Sequence, residues 1–164
     1  MPITIRHAQA EDIAAMTGLL GHLFAIEADF AADEQAQMRG LSLLLRAGAC
    51  LLVADEDGAV VGMVSIQTVI STAEGGTVGL MEDLVVAEER RGRGIGSRLL
   101  HAALAWAGEQ GMTRVQLLAD KNNTKATEFY GKHGFCGTQL VCLRITHRST
   151  AAHQGALHEP DHTR

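Results

Sequence analysis

The segment "RRGRGIGSRLL", Arg90 to Leu100, places glycines at positions 92, 94 and 96 among arginines, between an apolar run and a leucine-rich one. Glycine lets a backbone approach a ligand closely, and the free N–H groups at a helix start attract negative charge. The pattern therefore suits an anion, and its arginines suit a phosphate. A Walker A loop is excluded because no lysine follows the glycines. A dinucleotide fingerprint is approached by Gly92, Gly94 and Ser97, but its third small position holds serine and the unit follows a hairpin instead of opening a βαβ repeat. A merely tight strand-to-helix turn explains one glycine and leaves the others without a reason.

Two further side chains could handle protons. Glu82 sits in "LMEDLVVA", where strand alternation puts it on one face with Leu84 and Val86 and turns Asp83 to the other. A carboxylate on an apolar face is costly unless paired or used, so either a salt bridge to an arginine or a chemical role accounts for it. Tyr130 is the only tyrosine in the chain. It shares a helical face with Ala126, Phe129 and His133, which is what core packing alone would produce.

The elements that must position these residues follow from periodicity. "ITIRHA" reads as a strand, and "AEDIAAMTGLLGHLFAIE" as a helix on Ile13, Met16, Leu19, Leu20 and Leu23, with Asp12 or Glu11 serving its first turn. "DEQAQMRGLSLLLRAG" repeats the helical theme and stops at Gly48. Two β-rich runs then join around Asp57-Gly58, a strong hairpin signal, and "TVGLMEDLVVA" is the next strand after the flexible "STAEGG". "GIGSRLLHAALAWAGEQG" is helical, "TRVQLLAD" a strand, "NTKATEFYGKH" a helix and "CGTQLVCLRIT" one or two terminal strands. The order β-α-α-β-β-β-α-β-α-β implies a single α/β (α+β) domain over residues 1–146, a mixed sheet with helices on both faces. Residues 147–164 lose periodicity and read as a flexible tail.

Composition excludes several classes. A chain of 164 residues with 46% hydrophobic and 20% charged residues is ordinary globular material. A formal net charge of −5 argues against nucleic acid as a partner, and nothing suggests a membrane. Cys50, Cys136 and Cys142 form no C-x-x-C pair, and the N-terminus lacks a secretory apolar run, so a cytoplasmic protein with reduced thiols is expected. His153, His158 and His162 suit no metal spacing, His101 and His133 fall on helices in ordinary roles, and no metal is expected.

The loop also carries a resemblance. Arg91-Gly92-Arg93-Gly94-Ile95-Gly96 is similar to the R/Q-x-x-G-x-G/A signature of the GNAT superfamily of acetyl-coenzyme A-dependent N-acyltransferases. "NTKATEFYGKHGF", Asn123 to Phe135, resembles that family's N-x-x-A-x-x-F-Y-x-x-x-G-F segment, in the expected order after the next strand. The detailed match runs from about Thr77 to Ile145; Ala87 stands where proline is common, and His133 where many members carry leucine.

The resemblance implies acetyl-CoA as cosubstrate. Backbone amides from Arg91 through Gly92, Arg93, Gly94, Ile95, Gly96 and Ser97 would cradle the pyrophosphate, with Arg91 or Arg93 adding charge. Leu84, Val85 and Val86 would offer unpaired backbone to the pantetheine arm where two parallel strands splay, and Asn123, Ala126 and Phe129 would line its path. Asn123 is equally explained as a helix N-cap. Tyr130 matches the family's tyrosine beside the coenzyme sulfur and would be the general acid; Glu82 matches the polyamine-type glutamate thought to act as base through water. The connection "FAIEADFAADEQAQ" would border the acceptor, so Glu27, Asp29, Asp33 and Glu34, together with Asp83, favour a cationic small-molecule amine, diamine or amino-acid-like acceptor. An amine bearing phosphonate, a protein N-terminus, and a non-catalytic acyl-CoA sensor or interaction module stay open as alternatives. Members of the family are often dimers, and a homodimer is carried as an expectation that no residue demands.

Overall fold

Asp57 and Gly58 both take positive φ, 53° and 85°, the mirror-image turn geometry whose twist matches the strands it joins. The turn links β2 (Cys50–Glu56) to β3 (Ala59–Ser71), and Asp55 Oδ1 accepts from the Gly58 N–H at 2.6 Å. The structure, a computed structural model, describes residues 2–25 and 33–147. Around the hairpin stand β1 (Ile3–His7), α1 (Ile13–Phe24), α2 (Glu34–Arg46) and β4 (Gly76–Val86), followed by α3 (Ile95–Glu109), β5 (Val115–Leu117) and α4 (Thr124–Lys132). Single 3-10 turns precede α1 at Ala10–Asp12 and α3 at Glu88–Arg90.

The five strands form one sheet in the order β1-β2-β3-β4-β5, antiparallel except for the parallel β4-β5 pair. Period-two alternation sorts the side chains of β2 and β3 to two faces. Leu52, Val64 and Ile66 meet Ile95, Leu99, Leu100 and Ala103 of α3. On the reverse face Leu51, Val53 and Met63 meet Met16, Leu19 and Leu20 of α1 and Leu41 of α2. Helices thus cover both faces, as expected of an α/β domain of this element order.

Caps and ion pairs fix the ends. Arg6 donates to both carboxylate oxygens of Asp12, at 2.7 and 2.9 Å, and to Asp55. Its guanidinium holds the Asp12 carboxyl below the usual carboxylate range. Gly48 and Gly111 take left-handed φ just beyond α2 and α3, the stops that the sequence marks. Cys50 lies buried, its thiol pushed up to about 11 by desolvation, and all three cysteines are free. No described helix is long and apolar enough to cross a membrane.

One expected element is absent. Residues 136–147 carry no strand, and Leu140, Val141, Leu143 and Ile145 are each at least 79% exposed. β-propensity reflects packing on a half-buried surface, and these side chains have no described surface to pack on. The element order therefore ends at α4, and the residues of the expected tail from 148 onward lie outside the described ones.

Candidate active site

The glycine loop is built as a strand-to-helix turn whose amides stay open. Gly92 and Gly94 adopt φ of 76° and 74°, a region that side-chain-bearing residues rarely enter, and Gly94 is the N-cap of α3. The first amide of the helix to find an acceptor is Arg98 N–H, which donates to Gly94 O at 3.1 Å. Among the described residues no acceptor meets the amides from Gly92 to Ser97. This is a concave run of donors at the positive end of a fifteen-residue helix.

The arginines divide their work in a way the sequence did not show. Glu56, buried at the end of β2, accepts from Arg90 Nε at 2.6 Å and pairs with Arg93 Nη2 at 2.7 Å. Those contacts, the one to Arg93 first, hold its carboxyl below the usual range. Arg93 is thereby tied to the sheet through its side chain. Arg91 instead donates Nε to Val86 O at 3.2 Å, within the expected pantetheine edge.

Beside the loop the sheet opens. β5 stops at Leu117, opposite Met81, while β4 continues to Val86, so Glu82 to Val86 have no strand beside them on that edge among the described residues. The divergence coincides with a β-bulge. Met63 pairs with Val85 and Ser65 with Glu82, which leaves one extra residue on β4, and Asp83 takes φ 57°. The extra residue overturns the alternation expected for this strand. Glu82 lies opposite Ser65 on the face of Val85, towards α1 and α2, whereas Leu84 and Val86 pack towards α3. Asp83 borders the same cavity as Glu82.

That cavity, of about 490 Å³, is an open groove lined by residues of α1, α2, β3 and β4 and is largely apolar, with Asp33, Glu82 and Asp83 at its border. Gln67, unremarked in the sequence, donates Nε2 to Glu82 Oε2 at 2.9 Å and orients the carboxylate. Asp33 also caps α2, accepting from Ala36 N–H at 3.0 Å. Glu34 is exposed on the first turn of α2, while Glu27 and Asp29 lie outside the described residues.

α4 brings the second motif against the loop. A Cβ on Gly96 would stand 3.6 Å from the Phe129 ring, so that ring lies over the first turn of α3. Tyr130 makes edge contacts with Phe129 and Phe135, at ring centroid distances of 5.4 and 5.6 Å, on the α3 side of the sheet. Ala126, Phe129, Tyr130 and His133 form the less exposed face of this helix. Asn123 Oδ1 accepts from Ala126 N–H at 3.1 Å, the N-cap anticipated for it. His133 Nδ1 donates to Phe129 O at 2.8 Å, since a carbonyl can only accept. Among the described residues no cluster of three or more His, Cys, Asp or Glu could hold a metal ion.

Comparisons with known proteins give the family and the fold. Residues 15–135 match the model described as the acetyltransferase (GNAT) family. The aminoalkylphosphonate N-acetyltransferase of Salmonella typhimurium is 31% identical over 82% of this chain and 86% of its own length. An aminoglycoside N(6')-acetyltransferase of Stenotrophomonas maltophilia is 30% identical over 82% of this chain and 84% of its own. The crystal structure of a "predicted acetyltransferase with acetyl-CoA" from Clostridium acetobutylicum superposes with a TM-score of 0.73 at 20% identity, over 87% of this chain and 96% of that one, a likeness of fold.

Proposed function

Because the chain belongs to the acetyltransferase (GNAT) family, we propose that it moves an acetyl group from acetyl-CoA to the primary amine of a small cationic molecule, by direct attack within a ternary complex. The observation that carries this reading is the run of open amides from Gly92 to Ser97 beside the parted strands β4 and β5, with an acid-bordered cavity on the other face of the sheet. Both relatives above bear names of enzymes that acetylate small amines.

The loop fits a diphosphate on its own terms. Its left-handed glycines put no side chain at positions 92 and 94, Arg93 between them is drawn to Glu56, and a row of unpaired donors at a helix start matches oxygens that carry negative charge. The amides from Gly92 to Ser97 and Arg91 would hold that group, and the open edge of β4 from Leu84 to Val86 would hold the amide-bearing arm. Asn123, through its outward nitrogen, and the face of Ala126 and Phe129 would border the same path. When bound, acetyl-CoA supplies a thioester whose carbonyl is open to a nitrogen lone pair.

Glu82 and Tyr130 take opposite ends of the proton traffic. Attack requires a neutral amine, so Glu82, oriented by Gln67 on the cavity side, accepts the ammonium proton through water. The carbon–nitrogen bond forms, the carbon–sulfur bond breaks, Tyr130 gives its proton to the departing thiolate, and the proton shed by the new amide nitrogen restores the phenol. The products are an amide and a free thiol. Asp33 and Asp83 raise the local concentration of cations at the cavity. We place the activity in the cytoplasm, and a homodimer remains part of the reading.

Thiol release from acetyl-CoA across a panel of primary amines tests the proposal. Tyr130→Phe keeps the ring contacts with Phe129 and Phe135, so a packing role predicts near-normal turnover. An acid role predicts a kcat lower by roughly 10²–10⁴-fold, with acetyl-CoA still raising the melting temperature. Turnover unchanged by that substitution would remove Tyr130 from the chemistry. An acetyl-CoA titration that leaves the melting temperature unmoved would remove the loop.

A further inference from the structure

The cavity is bordered by carboxylates from Asp33, Glu82 and Asp83, and no basic side chain lines it among the described residues. One polar group in its wall is of another kind. Gln37 of α2 lines the cavity and is only 9% exposed, and its Nε2 is buried with no hydrogen-bond partner among the described residues. Gln37, Gly40, Leu41 and Leu44 stand at i, i+3, i+4 and i+7, the face that α2 turns inward. Leucine would fill position 37 with no polar group to desolvate, whereas a buried amide nitrogen with no acceptor is the kind of exception that asks for an explanation. Turned into the cavity that its side chain borders, this nitrogen would be satisfied by a ligand oxygen.

We propose that Gln37 donates from Nε2 to a neutral oxygen of the acceptor substrate, so that the enzyme favours primary amines carrying an uncharged amide or hydroxyl oxygen remote from the reacting nitrogen. The inference rests on the reading of this cavity as the acceptor site. The charge pattern selects the kind of oxygen. A carboxylate or phosphonate brought among these acids is repelled, although either could accept from Gln37. The second ammonium of a diamine suits the acids but cannot accept from Nε2. A plain alkyl terminus leaves the nitrogen unpaired, as it is without ligand. Only a neutral acceptor satisfies both the field and the orphan donor.

Matched primary amines test this, with alkyl chains of graded length ending in methyl, carboxamide, a second amine or carboxylate, each followed by thiol release from acetyl-CoA. At the best chain length the carboxamide is expected to exceed the methyl analogue in kcat/KM by about tenfold, with the carboxylate lowest. Gln37→Leu keeps the bulk and removes the donor. It is expected to erase the gap between carboxamide and methyl amines, chiefly by raising KM for the carboxamide. An equal loss for every amine would mark Gln37 as structural and overturn the proposal. Equal kcat/KM for carboxamide and methyl amines in the unaltered protein would overturn it too, whether or not the variant folds. So would a preference for the carboxylate or the diamine. These failures leave turnover itself intact; silence with every amine would instead take the proposed function down together with this inference.

Discussion

Up to Ala107 the chain carries every buried side chain among the described residues; from Gly108 to His147 there is none. The first region closes its own core on both faces of the sheet. The second, made of β5, α4 and the segment after it, leans on that core through half-buried residues such as Leu117, Phe129, Tyr130 and Phe135. Both regions supply the loop and its surroundings, yet only one is stabilised by its own packing. The contrast teaches that the scaffold is fixed by burial, while the α4 side presents apolar and polar surface that the proposed cosubstrate would complete, gaining stability by linkage.

Paired truncations probe this contrast most strongly. Leu99→Ala, at a fully buried site, is expected to cost about 2–5 kcal/mol in denaturant unfolding, and Leu117→Ala markedly less. Equal losses would erase the distinction between the two regions. A smaller effect is expected where the regions meet. Gly94→Ala puts a Cβ at φ 74° with nothing within 4 Å of it, so its cost of about 1–3 kcal/mol is conformational. It should appear as weaker acetyl-CoA binding by calorimetry, and full affinity would show that the left-handed turn is dispensable.

The smallest effect is pH-dependent. Glu56 has its carboxyl depressed by Arg93 and Arg90. A depressed folded pKa contributes stability that is fully present above the unfolded value and is lost as pH falls through the folded one. The clamp should therefore release on acidification below the ordinary carboxylate range, with acetyl-CoA protection fading alongside. Glu56→Gln should lack that dependence, and matching thermal-shift profiles for the two proteins across acidic pH would sink the idea.

Much of the architecture could be read from local pattern because local physics wrote it. The Asp57-Gly58 turn, the stops at Gly48 and Gly111 and the glycines of the loop all demand left-handed backbone that few other residues supply. Residue positions whose meaning depends on distant partners were not legible. Glu56 meets arginines 34 and 37 positions away, and no period announces that. Gln67 matters only because Glu82 lies opposite its strand. Position 83 did leave a trace: two adjacent acids followed by three consecutive apolar residues, "EDLVV" and its neighbours, cannot alternate cleanly. Reading straight through them put Glu82 on the wrong face. "TQLVCLRIT" shows the converse error, a strand-forming composition with no described neighbour to pair with.

The extra residue in β4 makes the length of that strand, more than its spelling, a heritable determinant of the site. Exchanging Asp83 for asparagine or glycine, which tolerate φ 57°, keeps the count and hence the bend. An in-frame loss of that one codon should restore strict alternation and straighten the strand, and with the bend would go the proposed seat of the cosubstrate.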